Sequence, residues 1–376
     1  MKVDVTVRSK VSKTFRAAKV VGMMDIPDRT EQTLTFEGEF PIEDMDWSVG
    51  AIVGASGTGK STVARALWPS EYVKPSTWKA ASILDDFPKA MTPQEIVETL
   101  TAVGLASPPA WLRPYKVLST GQQFRADLAR ALVSTEGLVV YDEFTSVVDR
   151  TVAKAASVAV AKYARRTDRR FVAVTCHRDV LAWLEADWVF DTDRFAFSKE
   201  RLRRPRVRLQ IREGTREAWS VFRGHHYLTD QLSKNTRIWL AYVTLDGIER
   251  LAGFVSIVPL VGSIKTPQGR RPRRGWWRGH RIVVLPDYQG LGIGSRMVEL
   301  VAEELWRREG KRYSVVTSAP GIVYHAQRHP EMWRCIRRPS MLGPRSDQTQ
   351  GGRTSAGRLT TSWAYIPQEL REHARD

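Results

Sequence analysis

Cysteine is almost missing from this 376-residue chain; only Cys176 and Cys335 occur, far apart in sequence. A disulfide framework is therefore not expected, and a reducing cytoplasm is the expected location. No run of about 18 apolar residues exists, so nothing reads as a membrane-spanning helix. The opening MKVDVTVRSKVSK also lacks the apolar stretch that a signal peptide needs. Acidic residues are scarce in one half only. Residues 1–200 hold 26 basic and 26 acidic side chains, whereas residues 201–376 hold 32 and 15, so the whole net charge of +17 lies in the second half. Such asymmetry suits a polyanionic partner, with a well-solvated basic surface as the alternative.

What is present reads as two domains of ordinary size. The first half alternates apolar runs with helical patterns: WSVGAIVGAS, KSTVARAL, LVVYDEF, TVAKAASVAVAKYARR and FVAVTCH. This order predicts an α/β domain with a mostly parallel sheet. Near residue 200 the texture changes to SKERLRRPRVRLQIRE, which places the boundary there, with domains at 1–200 and 201–376. The second half gives IWLAYVTL, LAGFVSIVPLV and HRIVVLP, a glycine-rich turn, the helix SRMVELVAEELWRREG and the strand YSVVTS. An α+β domain with a mixed sheet and one prominent helix follows. The stretch GPRSDQTQGGRTSAGR is polar and glycine-rich, and reads as a loop.

Residues 54–61, GASGTGKS, fit GxxxxGK[ST] between an apolar strand and a helical pattern. Gly54, Gly57 and Gly59 let the backbone wrap around phosphates, with Ser56 and Thr62 in the same wrap. Lys60 reaches the β and γ phosphates of ATP, and Ser61 ligates Mg2+. Downstream, LVVY ends at Asp142 and Glu143; paired acids at the end of a buried strand suit a bound cation and an activated water. Asp142 is the expected magnesium residue and Glu143 the residue that orients or deprotonates the attacking water. His177, after FVAVTC, stands where an imidazole contacts a γ-phosphate or serves the structure alone.

These parts resemble the ATP-binding cassette (ABC) family of ATPases over roughly residues 1–195. The resemblance implies that LSTGQ at 118–122 is the signature, with Ser119, Gly121 and Gln122 completing the nucleotide site of a second copy, and hence a homodimer. It also implies that SVVD at 146–149 is the D-loop and His177 the switch histidine. The sequence departs from the pattern in two ways. Only 57 positions separate Ser61 from Leu118, which implies a reduced helical subdomain, and no convincing glutamine loop is found. Asp85, Asp86 and Gln94 are the candidates for that loop, and Phe15 is the candidate adenine-stacking aromatic. Loss of a membrane-coupling loop favours a soluble cassette over a transporter subunit.

A second glycine loop, QGLGIG, joins strand HRIVVLP to the long helix. It resembles the coenzyme A motif of the GNAT acyltransferase superfamily, whose fold would cover roughly residues 206–340. That resemblance implies acetyl-CoA or another acyl-CoA as cofactor. The strand edge over residues 282–285, with Val283 and Leu285, would pair with the pantetheine arm. Gln289, Gly290, Leu291, Gly292 and Gly294 would form the pyrophosphate loop, and Tyr324 is the positional match for the acid that protonates the thiolate, or a packed tyrosine. His325 and His329 share a helical face but no nearby acid is evident, so a metal site is not expected there.

The segment 262–281 concentrates Lys265, Arg270, Arg271, Arg273, Arg274, Arg278 and Arg281 around Trp276 and Trp277. Arginines among aromatics suit phosphate contact with base stacking, or form a solvated hairpin. His225, His226 and Tyr227, in WSVFRGHHYLTD, fall where GNAT proteins shape the acceptor site, and this motif resembles the Mom-type branch that acylates DNA bases. The expectation is an ATP-driven acyltransferase acting on nucleic acid. Acylation of protein or small-molecule amines, and an ATPase whose GNAT domain senses acyl-CoA, remain alternatives.

Overall fold

A computed structural model of the chain describes residues 1–10, 14–24, 31–199, 201–226, 231–260, 263–266, 269–272, 275–341 and 359–372. The polar loop 343–358 lies outside the described residues. Two compact units form, and neither is a single stretch of chain. The first comprises Met1–Pro75, Ala131–Ser146 and Ala164–Arg204; the second comprises Ser76–Arg130, Val147–Tyr163 and Pro205–Asp376. Contacts thus do not follow a single cut near residue 200, because stretches 76–130 and 147–163 pack with the later part of the chain.

In the first unit, β1 (Lys2–Lys10) and β2 (Glu31–Glu39) pair antiparallel. A five-stranded sheet contains β3 (Val49–Val53), β4 (Leu138–Tyr141), β5 (Arg170–Thr175), β6 (Trp188–Asp191) and β7 (Ala196–Ser198). Its order is β4-β5-β3-β6-β7, parallel except for the last pair. Strand β3 is buried at every position, as expected for a central parallel strand covered on both faces. Trp188, with no exposed surface, packs among Phe40, Trp47 and Trp68 and occupies the space beside Gly50.

The second unit contains β8 (Arg208–Glu213), β9 (Arg237–Leu245), β10 (Ile248–Pro259), β11 (Ser263–Thr266), β12 (Gly269–Pro272), β13 (Trp276–Val284), β14 (Arg312–Thr317), β15 (Trp333–Met341) and β16 (Leu359–Tyr365). Seven of these form one sheet in the order β15-β16-β14-β13-β10-β9-β8, and β11 with β12 makes a separate hairpin. Only β13 and β14 run parallel, and only Trp276–Arg278 pairs with Arg312–Ser314. Past Arg278, β13 continues without that neighbour, which opens a wedge in the sheet. Helix Ile293–Glu309 buries Ile293, Met297, Val298, Val301, Ala302 and Leu305, one apolar stripe at helical spacing, and ends on Gly310 in the left-handed region.

Helix Arg150–Thr167 follows a different logic. Val152, Ala153, Ala155, Ala156, Val158, Ala159, Val160 and Ala161 are all buried, so it is apolar around most of its circumference. Such a helix packs on several sides at once. In the second unit its first turns are tied to the β9–β10 hairpin by a Lys154–Asp246 ion pair and by Arg250 donating to Thr151 Oγ1 at 3.0 Å.

A Cβ on Gly50 would lie 2.0 Å from the Trp188 ring, and that fully buried indole cannot retreat. Gly50→Ala is expected to destabilise the first unit by about 1–3 kcal/mol or more through overpacking. Urea midpoints of the two proteins check this, and equal midpoints would refute it.

Candidate functional site

After β3 the chain turns through residues 54–61 into helix Lys60–Leu67. Gly57 and Gly59 have φ of 84° and 85°, where other residues are strained. Gly54 is required for space instead, since a Cβ there would sit 2.1 Å from Thr192 Oγ1. The loop is pinned from outside: Asp193 accepts from the Ala55 amide at 2.8 Å, and the hydroxyls of Thr58 and Thr192 are 2.6 Å apart. Lys60 Nζ donates to the Ala55 carbonyl at 2.6 Å, so the amine lies folded on the loop it would serve. Ser61 and Thr62 are half-buried on the first turn, and Ser56 is exposed. Arg178 grips Asp191 and Asp193 at 2.8 and 2.7 Å, which holds the Asp191 carboxyl below its ordinary range. Asp193 is held low first by the Ala55 amide and then by Arg178.

Strands β4, β5 and β3 are adjacent and parallel, so Asp142, His177 and the glycine loop all leave from neighbouring carboxyl ends. Asp142 accepts from the Tyr72 hydroxyl, and the Arg65 guanidinium lies 4.8 Å above the Tyr72 ring. Burial, followed by the Asp142 hydrogen bond, raises the Tyr72 pKa. Glu143 is exposed at φ 52°, donates its amide to Asp142 at 2.9 Å, and accepts from the Ser146 hydroxyl. His177 Nδ1 stands 3.2 Å from Thr145 Oγ1. The loop, Asp142, Glu143 and His177 therefore share one end of the sheet, a donor set that fits a magnesium nucleotide. Tyr72, Thr192, Asp193 and Arg178 were not legible, because each meets its partner through the fold or through a loop without a motif. Phe15 is 82% exposed on helix Phe15–Met24, which buries no side chain.

The LSTGQ stretch belongs to the second unit. Ser119 donates its amide to Gln122 Oε1 at 3.1 Å, and Gln122 returns its amide to Ser119 Oγ at 3.4 Å. This reciprocal cap opens helix Thr120–Ser134. Gly121 is half-buried, with the Val152 side chain in contact range of any Cβ there. Asp149 caps the next helix, accepting from the amides of Thr151 and Val152 at 2.8 and 3.1 Å. The glutamine-loop candidates serve local structure: Asp86 accepts from the amides of Lys79 and Ala80, and Gln94 donates to Glu98 at 2.9 Å.

A cavity of about 400 Å³ occupies the wedge beside β13. Ile282, Val284, Tyr288, Gly290, Gly292, Gly294 and Ser295 line one side, Pro320 and Ile322 another, and Val97, Thr101, Ala106 and Trp111 from the 76–130 stretch a third. Gly290 and Gly292 have φ of 99° and 84°. Gln289 braces the loop, donating to the Val284 carbonyl and accepting from the Ala106 amide, both at 3.0 Å. Leu291 is half-buried. An apolar cleft ending in a glycine turn at a helix N-terminus fits an acyl-pantetheine chain with its pyrophosphate.

Two sequence expectations need correction here. Val283 and Leu285 do not face the wedge: Leu285 donates its amide to the Ala252 carbonyl at 2.9 Å, and Val283 is buried in a cluster with Trp219, Phe222, Ile238 and Phe254. Strand periodicity of two makes Ile282 and Val284 the wedge-facing residues, a slip of one position. An acid does stand beside each histidine of the pair: Glu299 meets His325, and Glu331 lies 3.1 Å from His329. Burial pushes the Glu299 pKa up, but the bonds from His325 and Arg296 outweigh it and hold the group ionised. Among the described residues no cluster of three or more metal-ligating side chains occurs. Tyr324 is 39% exposed on helix Pro320–Arg328 and is not among the cavity-lining residues.

Arg270 and Arg271 fall on β12. Tyr227, Arg273 and Arg274 lie outside the described residues. Trp276, Trp277 and Arg278 are half-buried. The Arg312 guanidinium lies 5.7 Å from the Trp276 ring, and that of Arg237 lies 5.5 Å from Trp277. Both indoles thus already have cation–π neighbours inside the fold. His225 is exposed, and His226 meets Trp219 edge-on at 5.8 Å.

His280 is the extra residue where the β10–β13 register shifts. Its Nε2 accepts from the Ser233 amide at 3.2 Å, and burial, with Arg281, Arg278 and Arg216 adding repulsion, lowers its pKa to about 4. Between the ordinary value of 6.5 and about 4 the unfolded chain binds a proton that the folded chain refuses. Stability is therefore expected to fall as pH drops through that window, with a slope that His280→Gln flattens. Chemical denaturation of both proteins at a series of pH values measures it, and parallel curves would contradict the assignment.

The profile of the acetyltransferase (GNAT) family matches residues 207–323. No curated protein matches the chain. Among solved structures, a dimeric bacterial ABC transporter cassette, MJ0796, is 16% identical over 43% of this chain and 87% of its own, with a TM-score of 0.35. The cassette cbiO1 from Clostridium perfringens, part of a transporter complex, is 18% identical over 43% of this chain and 78% of its own, with a TM-score of 0.33. Among the described residues no helix is long and apolar enough to cross a membrane. Residues 207–323 thus match the acetyltransferase (GNAT) family, on a chain whose earlier part holds a complete P-loop motif.

Proposed function

We propose that the chain is an ATP-driven N-acyltransferase: a cassette over residues 1–200 works as a homodimer with ATP and Mg2+, and an acyltransferase over residues 201–376 moves an acyl group onto a nucleic-acid amine in the cytoplasm. One observation carries the coupling. The stretches 76–130 and 147–163, which hold LSTGQ and Asp149, belong to the same compact unit as the acyltransferase, and the first of them lines its cavity. A clasp formed at the signature would therefore act on the wall of the acyl-donor site.

In the first unit Lys60 would turn from the Ala55 carbonyl to the phosphates, Ser61 and Asp142 would hold the cation, and Glu143 would orient water, with His177 at the terminal phosphate. When bound, an acyl-CoA supplies a thioester carbon for attack by the amine. The C–N bond forms, the C–S bond breaks, the amine loses a proton, and the thiolate takes one. Ile282 and Val284 would align the pantetheine arm, and Tyr324 is the proton donor in this reading. The acceptor would be drawn by the basic second half and bound beside His225, His226 and Tyr227. Stacked bases hide their amines, so an ATP-fuelled grip that distorts the strand has a physical purpose.

The place of Tyr324 outside the cavity lining favours a second reading, in which the unit senses acyl-CoA without transferring the acyl group. Tyr324→Phe separates the two, because a sensor keeps its full acyl-CoA response. Mass spectrometry of nucleosides from cells expressing the protein tests the main proposal. Acylated bases are expected with the native chain and not with Lys60→Ala. Label found on protein or small amines, with nucleosides unchanged, would overturn the nucleic-acid assignment.

A further inference from the structure

The glycine loop of the acyltransferase cavity is not closed by its own domain. A Cβ on Gly290 would lie 2.9 Å from Ala159 Cβ and 3.1 Å from the Ala155 carbonyl, both on helix Arg150–Thr167. One turn further on, Lys162 Nζ lies 3.5 Å from where a Cβ on Gly292 would stand. Ala155, Ala159 and Lys162 follow one another at i, i+4 and i+7, so a single stripe of this helix faces the loop. Gly292 is the left-handed residue from which helix Ile293–Glu309 starts, and the backbone amides of its first turn have no partner within the helix. Lys162 is exposed, and the cavity that Gly290 and Gly292 help to line is mostly apolar.

We propose that Lys162 is a ligand for the acyl donor's pyrophosphate, so that the donor site is a composite of the acyltransferase loop and a helix of the cassette half. This rests on the acyl-CoA reading above. Amides of a helix N-terminus and one ammonium on the far side would hold a doubly charged diphosphate between them. A cavity of about 400 Å³ that Gly292 lines would take the pantetheine arm and leave the diphosphate beside Gly292, next to which Lys162 Nζ lies. The adenosine end would then lie in solvent along the cassette helix.

Calorimetric titration of the full-length protein with coenzyme A, dephospho-coenzyme A and pantetheine tests this. Lys162→Ala is expected to weaken coenzyme A about tenfold at low salt. The loss should be equal for dephospho-coenzyme A, which keeps the diphosphate, and absent for pantetheine, which has none. Lys162→Arg should restore most of the affinity, and circular dichroism should show both variants folded. A loss confined to coenzyme A would move Lys162 to the 3′-phosphate and overturn the proposal, as would unchanged affinity in a native-like Lys162→Ala protein. If the native chain binds none of the three, the acyl-CoA reading itself fails.

Discussion

The second unit depends on how closely a glycine can approach a helix. Gly290 at φ 99° sits against the backbone of Ala155 and the methyl of Ala159, and Gly104 likewise leaves room for the Gln289 carbonyl. Side chains at these points would push the 76–130 and 147–163 stretches off the loop, and the cavity would lose a wall. Alanines on helix Arg150–Thr167 serve the same end from the other side. Close packing of this kind tolerates little change in volume. It also explains why the stretches 76–130 and 147–163 fold together with the residues that match the acetyltransferase family.

A buried charge lies at the centre of this junction. Arg125, on helix Thr120–Ser134, is 1% exposed, and its Nε and one Nη donate to no partner among the described residues. Desolvation lowers its pKa to about 10, so it stays protonated at neutral pH, and Asp287 and Asp149 supply the compensating field. Such an arrangement is poor as a stabilising device, since a buried ion rarely recovers its desolvation. Its two compensating acids come from different stretches: Asp149 caps helix Arg150–Thr167 and Asp287 lies in the turn before the glycine loop. Moving either acid changes the energy of the same cation.

Local backbone demands were readable from the sequence, and long-range partners were not. GASGTGKS and QGLGIG announce themselves because left-handed residues need glycine, and both loops do adopt positive φ at Gly57, Gly59, Gly290 and Gly292. The two sheets followed from apolar periodicity. Composition changes at residue 200 and packing changes at Arg204–Pro205, but the additional divisions at 75–76, 130–131, 146–147 and 163–164 escaped detection because composition does not change at them. The one available signal was TVAKAASVAVAKYA, whose apolar residues surround the helix and so announce more than one partner. Lys162 and Asp193 act on loops more than a hundred residues away in sequence, with no motif of their own. The choice of Val283 and Leu285 over Ile282 and Val284 shows how a strand read alone leaves its facing open until its neighbours are known.

The stretch LSTGQ carries two physical meanings at once. As a capping pair, Ser119 and Gln122 satisfy each other's amides and fix the start of helix Thr120–Ser134. As a nucleotide contact, the same hydroxyl and the same helix terminus would have to turn outward to a phosphate. The two uses are compatible because the 3.4 Å bond from the Gln122 amide is long and readily exchanged for a charged acceptor. Five residues further along this helix lies Arg125, counted from Thr120. The helix that this pair opens thus runs from an exposed cap to a buried cation whose charge Asp149 and Asp287 offset.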